Sequence, residues 1–138
     1  MKFILDTDAL SELRKGRFGN PGFRQWSDSV PVEDVAVSVI TLQELETGIL
    51  LAARKDRARS LVFRAWFDHV VLPRFEDRII PVDDRVAFAC APLHVPNKRP
   101  YPDSLIAATA LVNDLTVVTR NTKDFAPMGV RLLNPWDA

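Results

Sequence analysis

The chain has 138 residues, 47% apolar and 26% charged, and its eighteen basic and eighteen acidic side chains cancel to a formal net charge of zero. A chain of this length buries about two-thirds of its unfolded surface without covalent staples, and this composition excludes a disordered, fibrous or histone-like protein. A single cysteine, Cys90, excludes a disulfide framework and a cysteine-rich zinc site and fits a reducing compartment.

Met1-Lys2 leads directly into the apolar run Phe3-Ile4-Leu5, which Asp6 ends. That run is too short for a signal peptide, and no stretch reaches the roughly 18 apolar residues of a spanning helix. A cytoplasmic location without membrane contact is expected. Phe3–Leu5 reads as a strand, as does Val35–Val39. Leu42, Leu45, Ile49 and Ala52 then fall on one helical stripe, followed by a second helical stretch through Leu61, Val62, Ala65, Trp66 and His69. Ile79–Val82 is a further strand. Pro92 to Pro102 is an irregular connection, Leu105 to Val112 a nearly all-apolar helix, and Thr116–Thr119 and Val130–Leu133 two last strands. Strands that are apolar throughout need cover on both faces. The expected fold is therefore one α/β domain over residues 1–138, a three-layer α/β/α sandwich around a mostly parallel sheet of about five strands.

Ligands bind open parallel sheets beyond the carboxyl ends of the strands. Four acids fall on that edge: Asp6 after the first strand, Glu44 in the first turn of the helix after the second, Asp103 at the start of the helix before the fourth, and Asp124 in the loop after the fourth, beside Thr119 and Asn121. Carboxylates gathered together repel unless a cation neutralises them. An all-oxygen set without cysteine or paired histidines favours Mg²⁺ or Mn²⁺, whose bound water can be activated for phosphodiester cleavage. Each acid also has a structural reading. Asp6 or Asp8 can N-cap the following helix, Thr41-Leu42-Gln43-Glu44 matches a capping box, Asp103 can cap its helix, and Asp124 can serve a turn. Their joint placement on one edge favours the metal site.

Ile4-Leu5-Asp6-Thr7-Asp8 with Leu10-Ser11-Glu12-Leu13, Ser38-Val39-Ile40-Thr41 with Glu44-Leu45 and Gly48, Asp103-Ser104-Leu105-Ile106-Ala107-Ala108-Thr109-Ala110, and Thr119-Arg120-Asn121 with Asp124-Phe125 together resemble the PIN-domain nucleases. In particular they resemble the VapC toxins of type II toxin–antitoxin modules, and Leu133-Asn134-Pro135-Trp136 resembles the ending of the FitB-like branch. The resemblance implies a Mg²⁺- or Mn²⁺-dependent endoribonuclease that blocks translation and is neutralised by a VapB-type antitoxin. It also implies a homodimer that joins the antitoxin in a larger hetero-oligomer and touches DNA only through it. Asp6, Glu44 and Asp103 match the family's core acids and Asp124 its more variable fourth; Asp6 and Asp103 are the expected principal metal ligands. Thr7, Thr119 and Asn121 are expected to support the site. Asp8 stands where such toxins commonly carry asparagine, so it adds a carboxylate to the metal or only starts the helix. In the FitB-like branch the fourth acid can sit where this chain has Asn121.

Arg14, Lys15 and Arg17 are the candidate RNA contacts, while Arg54 to Arg59 reads as a charged helix end. Phe63, Trp66, Phe67 and Phe75 are core or partner surface. His69, His94 and Cys90 need no catalytic role. Two alternatives stand beside the nuclease. One is a phosphatase of the haloacid dehalogenase type using Asp6 and Asp8, although Ala9-Leu10 replaces its expected Gly-Thr; the other is a non-catalytic scaffold for a DNA-binding antitoxin.

Overall fold

The computed structural model describes residues 1–137. Its sheet has five strands: β1 (Phe3–Leu5), β2 (Val35–Ser38), β3 (Ile79–Ile80), β4 (Thr116–Val118) and β5 (Leu132–Leu133). All pair in parallel in the order β3-β2-β1-β4-β5. The helices are α1 (Thr7–Leu13), α2 (Pro21–Ser29), α3 (Val39–Lys55), α4 (Arg57–Trp66), α5 (Leu72–Phe75), α6 (Asp84–Cys90), α7 (Tyr101–Asn113) and α8 (Thr122–Phe125). Among the described residues no helix is long and apolar enough to cross a membrane.

The expected three-layer sandwich is present, and the strand residues show why it forms. Leu5, Val35, Val37 and Val118 point into one core, with Ala9, Leu10, Phe23, Ile49, Phe67, Val71 and Phe75. Their neighbours Ile4, Ala36 and Val117 point into the other, with Ile106, Ala107, Ala110, Phe125 and Met128. Alternate residues of a strand face opposite sides, so continuous apolar runs bury both faces. Phe67 and Phe75 are plain core, and Phe63 and Trp66 pack partly buried against it. The expected helix through His69 ends its α-helical part at Trp66 and continues as a π turn, Phe67–Val71, into α5, leaving His69 exposed.

Several boundaries move from their expected places. β2 stops at Ser38, because the Ser38 side chain turns back to accept from the Ile40 amide and caps α3. Helix α2 has no counterpart in the sequence reading: Asn20 accepts from the Phe23 amide and Pro21 fills the first turn. Helix α6, capped by Asp83, lies between the third strand and the Pro92–Pro102 connection, where the sequence reading places no element. α7 begins at Tyr101, so Pro102 lies inside its first turn rather than before it.

Candidate active site

The chain order β1-β2-β3 builds the sheet outward on one side of β1, and β4-β5 builds it on the other. The order therefore reverses between β1 and β4, and in such sheets this switch point opens a crevice at the carboxyl ends. Asp6 leaves β1 there and Thr119 leaves β4. Their side chains meet: Thr119 Oγ1 donates to Asp6 Oδ2 at 2.6 Å, and Oγ1 itself accepts from the Asn121 amide at 2.9 Å. The other Asp6 oxygen, Oδ1, accepts from the Ala9 amide at 2.8 Å and caps α1. Cap and site are thus not alternatives for Asp6. One carboxylate does both, with one oxygen each.

Glu44 reaches the same crevice from α3, where Thr7 Oγ1 donates to its Oε1. The capping-box reading of Glu44 does not hold. α3 starts a turn earlier than that pattern requires, at the Ser38 cap, so Glu44 lies in its second turn and bonds across the fold to α1 instead. Asp103 sits in the first turn of α7 but does not cap it, since the cap position is Pro100 and makes no side-chain bond. Ser104 secures this turn by donating to the Tyr101 carbonyl at 3.0 Å. His94 braces it: Nδ1 accepts from the Arg99 amide, which leaves the proton on Nε2, 2.9 Å from Ser104 Oγ. Asp124 lies on the short helix α8 rather than in a loop, exposed, with its backbone amide donating to the Asn121 carbonyl. Asp8 is exposed and accepts from Asn121 Nδ2 at 3.0 Å, so it joins α1 to the segment after β4 instead of capping a helix.

Charge ties these side chains together. Asp6 is only 4% exposed. Burial lifts its carboxyl to about 6, against the opposing hydrogen bonds from Thr119 and Ala9, and the charges of Asp8 and Asp103 add to the rise. Asp103 is also raised, by burial first and then by Asp124, Glu44 and Asp8. Asp6, Asp8, Glu44, Asp103 and Asp124 therefore share one field, and none takes part in an ion pair among the described residues. Nor do three His, Cys, Asp or Glu side chains of the described residues stand close enough to enclose an ion by themselves. An open, all-oxygen, uncompensated anionic crevice fits a hard divalent ion that keeps much of its water.

The three basic candidates are dispersed. Arg14 stacks over Phe63 at 4.6 Å and shares a cavity of about 270 Å³ with Glu44, Leu45 and Trp66. Lys15 is bound to Glu12 at 3.1 Å, and Arg17 lies over Phe18 at 4.8 Å. Sequence reasoning passed over the Ser38 hydroxyl that starts the Glu44 helix. Its signal, a serine closing an apolar run, was masked by the stronger-looking Thr41-x-x-Glu44 pattern.

A parallel sheet whose switch point carries a buried aspartate and converging acids from three further elements defines an α/β protein of acidic-crevice type. The PIN domain matches residues 3–129, and the chain belongs to that family; the haloacid-dehalogenase alternative falls away with this assignment. It is 36% identical to Toxin FitB of Neisseria gonorrhoeae over 138 residues, covering 96% of this chain and 97% of that protein. It is 32% identical to a VapC ribonuclease of Sinorhizobium fredii over 139 residues, covering 97% of each. The crystal structure of FitAcB from Neisseria gonorrhoeae superposes with a TM-score of 0.88 at 33% identity, over 99% of both chains.

Proposed function

We propose that the chain is a Mg²⁺- or Mn²⁺-dependent endoribonuclease, the toxin half of a cytoplasmic toxin–antitoxin pair, which inhibits translation by cutting RNA. The observation that carries this reading is the uncompensated field of Asp6, Glu44, Asp103 and Asp124 at the switch point, with the Asp6 and Asp103 carboxyls pushed upward by burial first and then by neighbouring acids. The names of the similar proteins, a toxin and a VapC ribonuclease, support it.

Asp6 and Asp103 would hold the ion, with Glu44 and Asp124 orienting its waters. When bound, such an ion lowers the pKa of a water and offsets charge on a phosphodiester. The remaining tasks belong to the chain. Thr119 fixes the plane of the Asp6 carboxylate through Oδ2, and the α1 amide at Ala9 fixes it through Oδ1. Thr7 holds Glu44, and Asn121 holds Asp8 beside the crevice. Supporting bonds of this kind set ligand orientation and raise affinity.

A VapB-type antitoxin is the proposed partner, and DNA would be reached only through it. A basic side chain from its tail would meet the same negative field, while exposed Leu50, Leu51, Leu61 and Val62 on α3 and α4 offer apolar surface to it or to a second copy. The test is cleavage of RNA by the purified chain with Mg²⁺, against Asp6→Asn and Asp103→Asn. Each substitution is expected to lower the rate by about 100-fold or more, at the scale of a lost charge-stabilising group. Undiminished cleavage by both would overturn the assignment.

A further inference from the structure

At the end of α1 away from Asp6 the fold carries a second concavity, of about 410 Å³, bordered by the end of α1, the turn after it, α2 and α5. Arg17, Arg24 and Arg74 line it from three separate segments. None of the three pairs with a carboxylate among the described residues. Arg24 Nη1 donates to the Arg17 carbonyl at 3.2 Å, which holds these two segments together at the rim. The acids on the same wall do not cancel the charge. Glu12 is buried and already engaged by Lys15 Nζ and by the Asn20 amide, so among the described lining residues Asp28 is the one acid left to offset three arginines.

We propose that this cavity is a binding site for the RNA backbone away from the scissile bond, with Arg17, Arg24 and Arg74 as its phosphate ligands. The inference rests on the nuclease reading and extends it to how substrate is held. Guanidinium forks match phosphate oxygens in geometry and charge. The cavity also has the right address. Helix α1 begins at Asp6 and its seven residues end at Leu13 on the cavity wall, a rise of about 10 Å. A strand whose phosphate sat at Asp6 would reach the arginines within a few nucleotides. An acidic peptide is the less suitable occupant, because Leu13 and the buried Phe23 are the cavity's large apolar side chains and leave little to anchor one. Of the candidates Arg14, Lys15 and Arg17, only Arg17 belongs to this group; Arg24 and Arg74 come from elements that sequence spacing does not connect to it.

The experiment measures anisotropy of a labelled single-stranded RNA against salt, in chelator, for the intact chain and for Arg17→Gln/Arg24→Gln/Arg74→Gln. Without divalent ions the acidic crevice repels phosphate, so the basic contacts dominate the reading. Single-stranded binding falls with salt at a slope of about 0.7 per phosphate contact, so the triple variant is expected to lose about 2 from that slope and at least ~10-fold in affinity at low salt. Arg24→Gln alone is expected to lose about 0.7, which keeps the test open should the triple variant fail to fold. An unchanged slope in both variants, with RNA still cleaved under Mg²⁺, overturns the site and leaves the nuclease standing. An intact chain that neither binds nor cleaves RNA overturns both. Loss of binding to a glutamate-rich peptide with RNA binding untouched assigns the cavity to an acidic partner and likewise overturns the proposal.

Discussion

Replacing Asp6 by asparagine is expected to stabilise the metal-free protein at neutral pH. The unfolded carboxyl ionises near 3.8 and the folded one near 6, so folding favours the protonated form. That contribution to stability is fully present below pH 3.8 and is lost as pH rises through about 6. Two pKa units correspond to about 3 kcal/mol, and at 4% exposure solvent screens little of it. Asparagine keeps the α1 cap through its own oxygen but presents an amide to Thr119, whose hydroxyl is already an acceptor for Asn121; the weakened bond costs about 1 kcal/mol. The net gain at pH 8 is about 2 kcal/mol, or roughly 6 °C for a chain of this size. Thermal melts in chelator, from pH 4 to pH 8, measure it. The melting gap between Asp6→Asn and the parent should shrink or reverse toward pH 4, and carboxyls common to both proteins cancel in the difference. Mg²⁺ should then lift the parent alone, by about 2.7 kcal/mol at a hundred times its Kd. A variant no more stable than its parent at pH 8, or a gap independent of pH, would refute the account of burial strain at Asp6.

Thr119→Val removes the donor to Asp6 Oδ2 and the acceptor for the Asn121 amide, and should weaken Mn²⁺ binding about 10- to 100-fold by calorimetry. Thr7→Val frees Glu44; RNA cleavage is expected to fall about 10-fold while the denaturant midpoint stays close to that of the parent. Gly19→Ala places a Cβ 2.7 Å from Glu12 Oε2, an oxygen pinned by the Asn20 amide. Urea unfolding should show a loss of about 1–3 kcal/mol from this overpacking.

The sheet was legible because its strands are short, buried on both faces and written almost entirely in apolar residues, and the five runs fall where the five strands lie. Helix ends were less legible, since competing local signals decide them. α2 fully buries only Phe23, with Trp26 and the C-cap Val30 packed partly buried against the same core, a stripe of too few apolar positions to stand out even though Asn20-Pro21 marks its start. For the site, the positions of Asp6, Glu44, Asp103 and Asp124 on one sheet edge could be read from chain order. Their bonds could not. Thr7 and Glu44 are 37 residues apart and Asp8 and Asn121 are 113 apart, so no local motif records either contact. The arginine cavity was invisible for the same reason, its three cations arriving on segments with no shared periodicity.

Asp6 shows how the crevice comes to lack positive charge. Capping α1 supplies one amide donor and Thr119 one hydroxyl, and both lower the carboxyl's pKa. A cap and a charge-accepting hydrogen bond would ordinarily leave an aspartate comfortably ionised. Burial is the larger effect here, reinforced by Asp8 and Asp103, and the net result lifts the carboxyl to about 6. The chain itself supplies no compensating ion pair to Asp6, Glu44, Asp103 or Asp124 among the described residues. The hydrogen bonds thus determine where the carboxylate points, while the deficit of positive charge determines what it will accept. A divalent ion and a partner's basic side chain would draw on that same deficit. The two would therefore compete, and inhibition by a bound partner would follow from electrostatics at Asp6 without any rearrangement of the sheet that positions it.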